Sequence, residues 1–148
     1  MIWTVKKASD LRNEPAKRRS DDEIRIRILV VNDVEETRDG LEKLLTADGY
    51  DVDPARTEHD AVRKARADPP DVILISLRGG RSEWIAAATR IREDANLKEN
   101  TPVVLFCVAE LPESTEIKLE GSIYLIRPDN FNQLREVLKR VLHAAPGL

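Results

Sequence analysis

The sequence predicts an α/β fold, a three-layer sandwich in which one parallel sheet lies between two layers of helices. Short apolar runs rich in β-branched residues recur along the chain, and stretches with apolar residues at helical spacing separate them. Several runs are almost continuously apolar, as expected of strands that are covered on both faces. Five strands alternating with five helices through right-handed crossovers predict the doubly wound strand order 2-1-3-4-5.

Local signals place the individual elements. We expect strands near residues 26–31, 50–54, 72–76, 103–107 and 123–126. Pro54 favours an edge position for the second strand, because proline cannot donate a ladder hydrogen bond. Asp33 is a candidate cap for the first helix, and Gly49 marks the end of that helix. The fourth helix, over residues 113–119, has a poor helical pattern. The last helix shows one clear apolar stripe, formed by Phe131, Leu134, Val137, Leu138, Val141 and Leu142.

Composition narrows the functional classes. The 148 residues are enough for one domain with its own core, and 34% charged with 41% hydrophobic residues is typical of a soluble globular protein. The net charge of −3 gives no reason to expect binding to nucleic acid or to an anionic membrane. A single cysteine excludes an intrachain disulfide and a cysteine-based zinc cluster. With no signal peptide or membrane-spanning run in the pattern, we expect a cytoplasmic protein.

The first 23 residues differ in composition from the remainder. Basic and acidic side chains interleave there, and apolar residues are few. We expect residues 1–23 to form a flexible or loosely docked N-terminal arm, followed by one folded domain over residues 24–148.

The carboxyl ends of the central strands should meet in one crevice, because the strands are parallel. This crevice is predicted to gather six side chains: Asn32, Asp33, Ser76, Cys107, Arg127 and Pro128. A serine is a poor nucleophile without an adjacent base, and no histidine follows a predicted strand. Cys107 is expected to be a small buried core residue.

Three segments carry a resemblance to a known family. The first strand, ILVVND, is similar to the family's ILVVDD; LLTADGYDV is similar to LLxxxGYxV; and IYLIRP is similar to YLxKP. Together they resemble the receiver domain of bacterial two-component response regulators, in the same order and with the same spacing, between residues 25 and 143. The resemblance implies a flavodoxin-like (βα)5 fold.

The resemblance also implies a phosphotransfer site from which this sequence departs. Receivers phosphorylate an aspartate at the end of the third strand, where this chain has Ser76. They hold Mg²⁺ with that aspartate and with an acidic pair after the first strand, here Asn32 and Asp33. The family's threonine or serine after the fourth strand is Cys107, and its lysine before proline is Arg127.

These departures predict a crevice without metal or cofactor. Mg²⁺ prefers carboxylates and water, and Asp33 is the one carboxylate beside the neutral Asn32 and Ser76. We expect Arg127 to form an internal salt bridge with Asp33 in place of the ion, with Cys107 shielded from solvent between them.

The predicted function is that of a pseudo-receiver, which is not an enzyme and acts through protein–protein contact in bacterial signal transduction. The expected partner is a signalling protein, bound at the face of helix 4, strand 5 and helix 5 that carries Tyr124, and a homodimer is compatible with this. Neither nucleic acid nor a membrane is an expected partner. Two alternatives stay open: a phosphoregulated receiver with an atypical acceptor at Ser76, and a thiol- or flavin-dependent protein on the same fold, in which Cys107 is the thiol.

Overall fold

A computed structural model describes residues 25–76, 81–106 and 111–144 of the chain. The predicted N-terminal arm and Cys107 lie outside these residues. The elements in chain order are β1 (Arg27–Asn32), α1 (Glu35–Ala47), β2 (Asp51–Ala55), α2 (Glu58–Ala67), β3 (Val72–Ser76), α3 (Arg81–Asp94), β4 (Val103–Phe106), β5 (Thr115–Leu119), β6 (Ile123–Arg127) and α4 (Phe131–Ala144).

The six strands form one sheet of order β2-β1-β3-β4-β6-β5, and the first five strands in this order run parallel to one another. These five strands have the predicted doubly wound order, with β6 in the place of the predicted fifth strand. The predicted three-layer α/β fold is therefore confirmed. β2 lies at one edge, as Pro54 predicted.

The segment predicted as the fourth helix is a β-strand. β5 pairs antiparallel with β6 along its whole length and forms the second edge of the sheet. Ser114, directly before this strand, has a left-handed φ of 63° and is therefore not helical, and the alternating sequence TEIKL suits a strand. Gly121 and Ser122, with φ of 76° and 60°, close the hairpin. The predicted order 2-1-3-4-5 therefore holds for the five parallel strands, and β5 is an additional edge strand. The prediction of five helices is wrong, because the described residues form four.

Two apolar clusters, one on each face of the sheet, hold the layers together. α2 and α3 cover one face, and α1 and α4 cover the other. Along β1, Ile28 and Val30 face the cluster under α1 and α4, while Leu29 and Val31 face the cluster under α2 and α3. Because side chains alternate with a period of two, a slip of one residue would exchange every contact of this strand. Burial on both faces therefore specifies the register of the central strands.

A buried arginine ties α3 to the amino ends of β4 and β6. Arg92 is only 9% exposed, and its Nη1 donates to the carbonyls of Glu99 at 2.8 Å, of Thr101 at 3.0 Å and of Gly121. A Cβ added at Gly121 would lie 3.3 Å from Nη2 of the same guanidinium, so the glycine also makes room for it. Burial lowers the pKa of Arg92 from its ordinary value. The charged donor thus joins the loop between α3 and β4 to the turn between β5 and β6.

We expect Arg92→Met to lower the free energy of unfolding by about 2–3 kcal/mol, because the carbonyls lose a charged donor and stay partly buried. Lys43→Met, at an exposed position of α1, removes the same charge and is expected to change stability by about 0.5 kcal/mol or less. Urea unfolding of both variants measures the difference. Equal losses would show that Arg92 contributes only through net charge.

Candidate functional site

β1 and β3 end side by side. Their parallel register pairs Asn32 with Ser76, the last residue of each strand. Neighbouring strands lie about 4.8 Å apart, so the two residues are adjacent at the carboxyl edge of the sheet. β4 and β6 are likewise in register at Phe106 and Ile126, which places Arg127 at the same edge.

The side chain of Asn32 is engaged by the start of α1. Asn32 is 3% exposed, and its Oδ1 accepts a hydrogen bond from the Val34 N–H at 2.8 Å. Its backbone carbonyl accepts from Nη1 of Arg38 at 2.9 Å. The N-cap position of α1 belongs to Val34 and not to the predicted Asp33, which is exposed one residue earlier. The amide of Asn32 therefore supports the turn between strand and helix.

Ser76 ends β3 at a half-buried position, after four fully buried apolar residues. The strand ends of β1 and β3 thus present a neutral amide and a neutral hydroxyl next to each other. Sequence reasoning located both residues at strand ends. The hydrogen bond that engages the amide became evident only from the backbone geometry.

Arg127 anchors the segment that precedes β5. Its Nη1 donates to the Leu111 carbonyl at 2.6 Å, and its own carbonyl accepts from the Ser114 N–H at 2.8 Å. Leu111 is itself buried in the apolar cluster under α3. Pro128 follows at a half-buried position. Sequence reasoning missed this contact because it depends on the hairpin of β5 and β6.

The residues at these strand ends do not fit the Mg²⁺ ion that the fold family implies. Asp33 is one carboxylate, Ser76 is neutral, and Oδ1 of Asn32 already accepts a hydrogen bond. Mg²⁺ is bound in proteins through carboxylates and water in nearly octahedral geometry. Across the described ranges, no group of three or more His, Cys, Asp or Glu side chains could hold a metal ion.

The predicted partner face included a fourth helix. In the structure, the strand β5 occupies the position of that helix. Tyr124 lies half-buried on β6, and Nζ of Lys118 on β5 is 5.9 Å from the centre of its ring. The surface around Tyr124 is therefore built from β5, β6 and α4.

A groove of about 540 Å³ lies between α2 and α3, and none of the predicted site residues lines it. Arg90 makes two hydrogen bonds, of 2.6 and 2.8 Å, to the carboxylate of Glu58 across it, and these lower the pKa of Glu58. Trp84 lines the groove and is 6% exposed. The ion pair joins the two helices, which is a structural role.

The parallel sheet order and the polar residues at its carboxyl edge place the molecule among doubly wound α/β domains. The sequence profile of the response regulator receiver domain matches residues 28–139. The chain belongs to this family, whose members are signalling modules of two-component systems.

Individual proteins also resemble this chain in sequence or in fold. The transcriptional regulatory protein ZraR of Salmonella typhimurium is 30% identical over 120 residues, which are 80% of this chain and 26% of that protein. The chain therefore spans about a quarter of the length of this relative. The response regulator protein TrrA of Thermotoga maritima, in complex with Mg²⁺–BeF, superposes with a TM-score of 0.60 at 24% identity, over 78% of this chain and 98% of that one. A structure of the histidine kinase ThkA in complex with TrrA gives a TM-score of 0.60 at 24% identity, over 79% of this chain and 98% of that one.

Helices long and apolar enough to cross a membrane are absent from the part of the chain that the structure describes.

The ion pair between Asp33 and Arg127 stays a prediction. Asp33 follows β1 and Arg127 ends β6, and the strands β3 and β4 lie between these two. The pair therefore needs the full reach of the arginine side chain. Because Asp33 is exposed, we expect a coupling of about 0.2–1 kcal/mol.

Unfolding of Asp33→Ala, Arg127→Ala and the double variant measures this coupling, and Ser76→Ala is the control with no charge removed. Additive losses of stability in the double variant would mean that the two side chains do not meet.

Proposed function

We propose that this receiver domain is a pseudo-receiver, a regulatory module that binds a signalling protein without accepting a phosphoryl group. The observation that carries the proposal is Ser76 at the end of β3, in register with Asn32. A serine hydroxyl without an adjacent base is a poor nucleophile, and two neutral side chains supply no charge to hold Mg²⁺. The module is proposed to act in the cytoplasm of a bacterium and to catalyse no reaction.

Contact with another protein is then the route by which the domain conveys a signal. The complex of ThkA with TrrA supports a protein partner for a domain of this fold. The altered surface of β5, β6 and α4 supports a partner of a different kind, because a strand edge now replaces a helix. We propose this surface, including Tyr124, as the binding face.

Incubation with acetyl phosphate and Mg²⁺, followed by intact mass spectrometry, tests whether the chain accepts a phosphoryl group. We expect the mass to stay unchanged, and Ser76→Ala to behave in the same way. A phosphoryl adduct on the unmodified chain that is absent from Ser76→Ala would identify Ser76 as an atypical acceptor and contradict the proposal.

Adding the two missing carboxylates should restore metal binding. We expect Asn32→Asp combined with Ser76→Asp to bind Mg²⁺ about tenfold or more tightly than the unmodified chain, which corresponds to about 1.4 kcal/mol. Aspartate at position 32 retains an oxygen that can accept from the Val34 N–H. Asn32→Ala combined with Ser76→Ala is the matched control without added charge. Calorimetry measures the affinities, and equal affinity of all three proteins would contradict this account of the crevice.

A further inference from the structure

β5 is an exposed edge strand. It lies at the end of the sheet, and within the described residues no strand pairs with its outer edge. Its three central residues are all exposed, and Ile117 is a large apolar side chain with 36% of its surface exposed. An edge strand offers a row of backbone donors and acceptors that another strand can pair with.

The sequence of β5 is complementary to itself when it is paired antiparallel. In TEIKL, Ile117 is central, with Glu116 before it and Lys118 after it. If a second copy pairs about Ile117, each Glu116 lies opposite a Lys118 of the other copy, and the two isoleucines lie opposite each other. Opposite charges and apolar pairs at directly facing positions stabilise antiparallel strands.

From this complementarity we propose that β5 pairs with β5 of a second copy of this chain, about a two-fold axis through Ile117, to join the two sheets into one. The pairing is isologous, as most symmetric dimers are. The proposal does not depend on the chemistry of Ser76. It shares β5 with the proposed binding face, but its test uses this chain alone and is separate from the test of phosphoryl transfer.

The charges also specify the register. A shift by two residues in one direction places Glu116 opposite Glu116, and a shift in the other direction places Lys118 opposite Lys118. Like charges that face each other across strands are destabilising. Charged residues on an edge strand commonly prevent unwanted pairing. Here their symmetric arrangement about Ile117 fits a second copy.

Contacts within the chain already orient the charged side chains for this pairing. Glu116 accepts a hydrogen bond from Nη2 of Arg140 on α4 at 3.0 Å, and Lys118 lies over the ring of Tyr124. Both side chains therefore lie on the α4 face of the sheet, while Ile117 points to the other face. A strand of five residues buries less area than a standard interface, so the dimer should be weak and depend on concentration.

Sedimentation velocity over a concentration series that extends into the millimolar range tests the proposal. We expect the unmodified chain to dimerise reversibly, and Glu116→Lys and Lys118→Glu each to weaken self-association about tenfold or more, because each makes both charged pairs repulsive. An equimolar mixture of these two variants should associate like the unmodified chain, since every charged pair in the mixed dimer is again of opposite sign. Lys43→Glu, which makes the same charge change as Lys118→Glu but at an exposed position of α1, should dimerise normally.

Association in the mixture also shows that both variants are folded. A chain that stays monomeric at every concentration would overturn the proposal and assign the edge to another occupant. Undiminished self-association of the two single variants would overturn it too, because a different surface would then carry the dimer. A mixture that fails to associate would refute the stated register.

Discussion

The parallel register between β1 and β3 is the constraint on which the sheet and its crevice both depend. Both strands are buried on both faces, so a slip of one residue would exchange their contacts with the two helical layers. The same register sets Asn32 beside Ser76 at the carboxyl edge. Packing of the core thus decides which two side chains share the crevice, and their neutral chemistry follows from the residues that occupy those positions.

Much of the fold could be predicted because it rests on local patterns. The continuous apolar runs predicted the parallel strands, and Pro54 predicted the edge position of β2. β5 was missed because the alternation of strands and helices favoured a helix there. The signals for a strand were nevertheless present, in the alternating pattern of TEIKL and in the pair Gly121-Ser122, which is typical of a tight hairpin turn.

Less of the site could be predicted, since its contacts join residues distant in sequence. The positions of Asn32 and Ser76 follow from the strand ends, but the hydrogen bond of Arg127 to the Leu111 carbonyl requires the unforeseen hairpin. Arg92 is a second example, because its carbonyl partners belong to two separate loops. The hairpin that these two arginines support also creates the exposed edge of β5. The strand β5, where a helix was predicted, therefore affects both the anchoring of Arg127 and the surface offered to a partner.

Amide NMR spectra of the full chain, recorded with and without Mg²⁺ and BeF₃⁻, test whether the crevice responds to a phosphoryl group. TrrA, whose structure contains Mg²⁺–BeF, is the positive control. We expect the resonances of Asn32, Ser76 and the residues of β6 to stay unmoved when both reagents are added together. Saturable shifts at these positions would show a working phosphoryl site and contradict the proposal of a pseudo-receiver.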